Sequence, residues 1–171
     1  INTYDTGKKL NRAIQVMEAA EACGDTQSAD KLLKGIENEL ADWFTADGED
    51  DDKYFYYDKE YGTLIGYPTS YDSDKQVNDH HFHYGYWIKA AAAVAMKDPQ
   101  WAKEWGGMVY EMIGDIANAN RDGSGYNKNS ETRYPFLRNF DIYGITKISY
   151  NNDIRISEWK QKTGRILYYE I

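Results

Sequence analysis

Apolar residues early in the chain recur at helical spacing. Leu10, Ile14 and Met17 fall four and three apart, so they share one face of a helix predicted over Asp5 to Cys23. Ala13, Ala19 and Ala20 add helix propensity. Gly24 stops that helix, and Asp25 caps a second one from about Thr26 to Phe44. Leu32, Leu33, Ile36, Leu40 and Trp43 form its expected buried stripe, and the short Gly-Asp link predicts an αα-hairpin. The period then changes. Tyr54-Phe55-Tyr56-Tyr57 reads as a strand, Asp58 to Gly62 as a turn and Thr63-Leu64-Ile65 as the returning strand. A loop over Tyr67 to Val77 leads into an alanine-rich third helix, from near Asn78 to about Met96. Asp98-Pro99 starts a fourth, to about Asn120, with Trp105, Met108, Val109, Met112, Ile113 and Ile116 on its apolar face. Gly106-Gly107 inside it predicts close contact with a neighbour. Beyond Ile142, the runs Ile145 to Tyr150 and Arg165 to Tyr169 read as strands. The fold class expected is mainly α, built of helical hairpins with a small β-hairpin insertion.

Composition narrows the partners. The 171 residues suit one domain. A net charge of -8 argues against nucleic acid, whose phosphates need a basic face. Aromatics reach 15%, with 16 Tyr and 5 Trp. Flat rings stack on the C–H faces of sugars, while the same tyrosines also half-bury well in any fold. The one cysteine, Cys23, allows no internal disulfide and is expected to be buried. No apolar run is long enough to span a membrane, so no membrane partner is expected. No leader peptide is visible, and the start at Ile1 suggests a piece of a longer precursor.

Candidate chemistry gathers in Asn78-Asp79-His80-His81-Phe82-His83-Tyr84-Gly85-Tyr86-Trp87, which holds all three histidines. Asp79 and His83 are four apart and share a helix face, which Tyr86 and Trp87 continue. A carboxyl there suits proton donation to a leaving oxygen, although a helix N-terminus favours the carboxylate, so burial or a second carboxylate must offset the dipole. The competing reading makes Asn78 or Asp79 a plain N-cap. A metal site fits poorly, because His80 and His81 point about 100° apart and the zinc-hydrolase spacing is missing. The acidic loop Asp47 to Asp52 lacks the ligand spacing of a calcium hand and reads as a solvated turn. Ser70 and Ser73 lie in no nucleophile elbow. Arg138 and Asp141, beside a Pro-aromatic loop, either line a cleft or pair with each other.

Tyr67-Pro68-Thr69-Ser70-Tyr71, the Asn78 to Tyr86 run, Asp98-Pro99 with Trp101-Ala102-Lys103-Glu104, and Pro135-Phe136-Leu137-Arg138-Asn139-Phe140-Asp141 together resemble glycoside hydrolase family 81, the endo-β-1,3-glucanases or laminarinases. The resemblance covers roughly Gly62 to Tyr143. It implies an (α/α)6 toroid as catalytic domain, inversion at the anomeric carbon, no metal or other cofactor, and a β-1,3-glucan polysaccharide as partner. It implies Asp79 as general acid, with Tyr71, His83 and Tyr86 shaping the glucan cleft; Arg138 and Asp141 join them as substrate-binding candidates. Many members are secreted, so an extracellular location is expected. The family's general base is a downstream glutamate in a segment rich in Asn, Gln, Glu and Ser, after a Gly-His-Ser-Trp segment. Here Asp141-Ile142-Tyr143-Gly144 leaves the pattern, and the surroundings of Glu158 and Glu170 do not match it. The expectation is one partial catalytic domain, family-like over 1–141 with a divergent tail over 142–171, and hydrolysis incomplete in this chain. The alternatives are a non-catalytic or vestigial β-glucan-binding protein, and a plain helical interaction domain.

Overall fold

The computed structural model describes residues 1–136. Their elements run α1 (Thr3–Ala22), α2 (Thr26–Phe44), β1 (Tyr54–Asp58), β2 (Thr63–Tyr67), α3 (Ser73–Gln76), α4 (His80–Lys97) and α5 (Pro99–Ala117). The mainly helical class with one antiparallel hairpin is as expected, and the hairpin register pairs Tyr54 with Tyr67 and Tyr56 with Ile65. Asn2 and Asp25 cap the first two helices through their side-chain oxygens, and Asp98 caps α5 with Pro99 as its first residue.

Helix α4 is the centre. It packs against α1 on one side and α5 on another, and α2 also reaches it. Ala90, Ala91, Ala92 and Ala93 are all buried. Side chains this small let neighbouring helices come close from several directions. The hairpin lies against α2 and α5, and Phe55 enters an aromatic cluster with Trp43 and Trp87 at centroid distances of 5.6 and 5.2 Å. After α5 the chain folds back. Buried Glu111 accepts hydrogen bonds from Asn127 Nδ2 (2.9 Å), Thr132 Oγ1 (2.6 Å) and Tyr134 Oη (2.7 Å). Gly114 makes room for the Tyr134 ring, which would lie 2.8 Å from a Cβ there.

Several expectations need correction. Cys23 is exposed. It lies six residues beyond Met17, about 120° off the buried stripe at 100° per residue. Leu32 and Leu33 are only half-buried, and Leu32 borders an open cleft between α1 and α2. Helix α5 ends at Ala117, since the Asn118 side chain turns out to hold Tyr134 O (2.8 Å) and the Asn120 N–H (3.1 Å). Within the expected loop lies the short α3. Gly107 does meet a neighbour, as its Cβ position is 3.3 Å from Asn127 Nδ2. The expected strands after Ile142, with Arg138 and Asp141, lie outside the described residues.

Candidate functional site

A groove of about 500 Å³ opens at the N-terminal mouth of α4, lined by Tyr4, Tyr71, Asp79, Phe82, His83 and Tyr86. Sequence reasoning placed Tyr71, Asp79, His83 and Tyr86 together, and the fold brings all four to this one wall. Asp79 occupies the N-cap position, but in the left-handed region (φ 57°), and its side chain makes no cap hydrogen bond. The backbone does that work instead, since Asp79 O accepts from Phe82 N (3.0 Å) and His83 N (3.1 Å). The carboxyl is left to the groove. The plain N-cap reading therefore does not describe Asp79.

The approach to α4 is unusually bent. Tyr71, Asp72, Val77 and Asp79 all have positive φ, and among the described residues no other non-glycine does. A β-branched residue such as Val77 pays heavily in that region. Clustered strain of this kind is characteristic of functional loops.

Helix α1 supplies the opposite wall. Thr3, Gly7, Leu10, Ile14 and Met17 form one buried stripe with spacings of four and three. At Gly7 the absent side chain lets α1 lie directly on α4, where a Cβ would meet Tyr86 Cβ and Trp87 Nε1 at 3.1 Å. Thr3 Oγ1 bonds His83 Nδ1 (3.0 Å), and Trp87 Nε1 donates to Thr3 O (3.0 Å). Tyr4 then stands over the groove, edge-on to Tyr71 at 5.3 Å and 5.3 Å from the His83 ring. Sequence reasoning missed Tyr4. The available cue was an aromatic six residues before Leu10, about 120° off the buried stripe. Trp87 departs from expectation in the other direction. It shares the face of His83 but lies one turn deeper, fully buried under α1 and against Trp43.

The three histidines do not converge. His80 turns inward, with Nδ1 2.7 Å from Asp115 Oδ2 and Nε2 3.0 Å from the Ser73 carbonyl. Asp115 also accepts from Thr63 Oγ1 and Leu64 N, both at 2.9 Å, so one buried carboxylate ties β2 to the start of α4. His83 is held well below the usual imidazole range, at about 4. Burial is the main cause and positive charge at His80 adds to it, while the Asp79 carboxylate opposes both. His83 is thus a neutral ring near pH 7.

Residues 1–152 match the model of the glycosyl hydrolase family 81 C-terminal domain. The chain belongs to glycoside hydrolase family 81. The resemblance read from the motifs is therefore borne out. A glucan endo-1,3-beta-D-glucosidase of Acetivibrio thermocellus is 48% identical over 145 residues, covering 84% of this chain and 18% of that protein. The protein of the same name from Thermobifida fusca is 44% identical over 144 residues, 83% of this chain and 18% of its own length. Among solved structures, a mutant of the family 81 glycoside hydrolase from Clostridium thermocellum superposes with a TM-score of 0.82 at 40% identity, over 96% of this chain and 24% of that one. This family 81 chain thus spans under a fifth of the length of the two curated relatives.

Proposed function

We propose that this chain carries the acid half of an endo-acting β-1,3-glucanase site, with Asp79 as general acid. The observation that carries the reading is the Asp79 carboxyl, freed from capping in a groove lined by tyrosines. The names of the relatives supply the substrate class, a β-1,3-glucan, and an extracellular location goes with that reading. Tyr4, Tyr71 and Tyr86 offer ring faces and hydroxyls to successive sugars. Asp79 gives its proton to the glycosidic oxygen as the C1–O bond breaks, and a water attacks C1 from the opposite face. That water loses its proton to a carboxylate base roughly 6.5–9.5 Å from the acid, which inverts the anomeric carbon. Among the described residues, Asp79 is the one carboxylate lining the groove. In this reading the base is supplied by a carboxylate other than those lining the groove. Arg138 and Asp141 remain candidates for the substrate side of the same cleft.

The same shortage of a second carboxylate favours the alternative, a glucan-binding surface without turnover. Laminarin separates the two readings. The glucanase reading expects oligosaccharide release by an enzyme that includes this domain, and loss of about 10²- to 10⁴-fold in rate on Asp79→Asn with laminarin binding retained. An Asp79→Asn protein that cleaves like its parent removes Asp79 as the acid. Binding without release by the 171-residue chain supports the second reading for the chain alone.

A further inference from the structure

Thr3 is fixed at each of its groups. Its N–H donates to Pro68 O (3.1 Å), and its carbonyl accepts from Trp87 Nε1 (3.0 Å). Its methyl lies over Gly66, where a Cβ would come within 2.3 Å of Thr3 Cγ2. Its hydroxyl is 3.0 Å from His83 Nδ1. The residue is 1% exposed. A threonine inside a helix can bond back to the carbonyl one turn earlier. Thr3 opens α1 and has no such helical carbonyl. Among the described residues, His83 Nδ1 is the hydrogen-bond partner of this buried hydroxyl. A buried O–H left without an acceptor is costly, so its proton belongs on the line to that nitrogen.

We infer that Thr3 donates to His83 Nδ1 and thereby fixes the ring in the tautomer that carries its hydrogen on Nε2, as a donor facing the groove. A neutral imidazole has one N–H, and the partner of one nitrogen decides what the other offers. Nδ1 is taken by Thr3, and among the described residues Nε2 has no hydrogen-bond partner. With Nε2–H in place, His83 recognises an acceptor, such as a sugar oxygen or the Asp79 carboxylate beside it. With the tautomer reversed, Nε2 would be an acceptor that repels the carboxylate and takes a sugar hydroxyl only as a donor. Thr3 is then a positioning residue, acting on the groove through His83 from a helix that reaches the site only at its first turn. The sugar acceptor rests on the glucanase reading; the tautomer does not.

The chain has three histidines, so its imidazole nitrogen spectrum is simple. In ¹⁵N-histidine-labelled protein at pH 7 without ligand, long-range ¹H–¹⁵N correlations should give His83 a pyridine-type Nδ1 and a pyrrole-type Nε2. The reverse pattern overturns the inference. Thr3→Val keeps the methyl and the shape but has no proton to donate. It should mix or reverse the tautomer and lower laminarin affinity or kcat/KM about tenfold, the worth of one hydrogen bond. Thr3→Ser should preserve the parent pattern. An unchanged His83 pattern in folded Thr3→Val also overturns the inference. If that variant does not fold, the parent and Thr3→Ser spectra still decide. Intact Nε2–H with no laminarin binding by an enzyme that includes this domain leaves the tautomer standing and removes the glucanase reading instead.

Discussion

Asp79 and His80 are neighbours at the mouth of α4, yet they face opposite worlds. Asp79 stands half-exposed in a strained backbone conformation, with its carboxyl making no cap bond. His80 is 1% exposed and has an oxygen within hydrogen-bond distance of both ring nitrogens. Asp79 precedes the helix in a left-handed conformation and lines the groove, while His80 begins α4 and turns to the core. The same contrast holds for their partners. Asp115 is a carboxylate used up by the fold, accepting from β2 and from His80. Asp79 is a carboxylate that makes no cap bond and lines the groove among the described residues. A pair of acidic and imidazole groups is thus no signature of chemistry by itself; what separates the two is whether the structure already satisfies them.

The largest expected effect lies on the satisfied side. Asp115→Ala removes the acceptor of the Leu64 N–H, the Thr63 hydroxyl and the His80 ring at once, all of them buried. Breaking a buried pair in this way costs about 3–5 kcal/mol. Urea unfolding measures it directly. A loss below about 1 kcal/mol, the range of exposed ion pairs, would mean that the network contributes little and the contrast with Asp79 is false.

Next comes a pH effect at His83. Its folded pKa of about 4 lies below the ordinary imidazole value of 6.5. Between those values the unfolded chain binds a proton that the folded chain refuses. The stabilisation is therefore complete above pH 6.5 and is lost as pH falls toward 4. His83→Gln should flatten that part of the stability–pH curve. An identical slope in parent and variant would assign the loss to other groups.

Most of the architecture was legible because it rests on local signals. Leu10, Ile14 and Met17 announced α1, Asp98-Pro99 opened α5, and the Tyr54 to Tyr57 run opened the hairpin. That Tyr71, Asp79, His83 and Tyr86 share one groove was legible for the same reason, since they lie within one stretch. What escaped depends on distant parts of the chain. Tyr4 belongs to the groove only because Gly7 lets α1 settle onto α4. Asp115 sat unnoticed on a helix whose apolar face gave no hint of a buried carboxylate. The left-handed backbone of Asp79 escaped as well, since nothing in Asn78-Asp79-His80 foretells it, although Asp79 itself stood out as the candidate acid. The alanine run of α4 marked a helix, but it could not say which helices would pack against it.

The smallest effect tests the groove side of the contrast. A left-handed conformation costs an L-residue about 1–2 kcal/mol, less for Asp than for most, and glycine takes it freely. Asp79→Gly relieves that cost, offset by the extra freedom glycine gives the unfolded chain. Because the carboxyl makes no cap bond, its removal subtracts little in return. The variant should be as stable as its parent or more so, by about 1 kcal/mol or less. In a complete enzyme it should also lose hydrolysis. Gain in one property and loss in the other is the mark of a residue kept for chemistry against the preference of its backbone. If urea unfolding instead shows Asp79→Gly to be less stable than its parent, the carboxyl is holding the loop in place, and Asp79 moves to the same side of the comparison as Asp115.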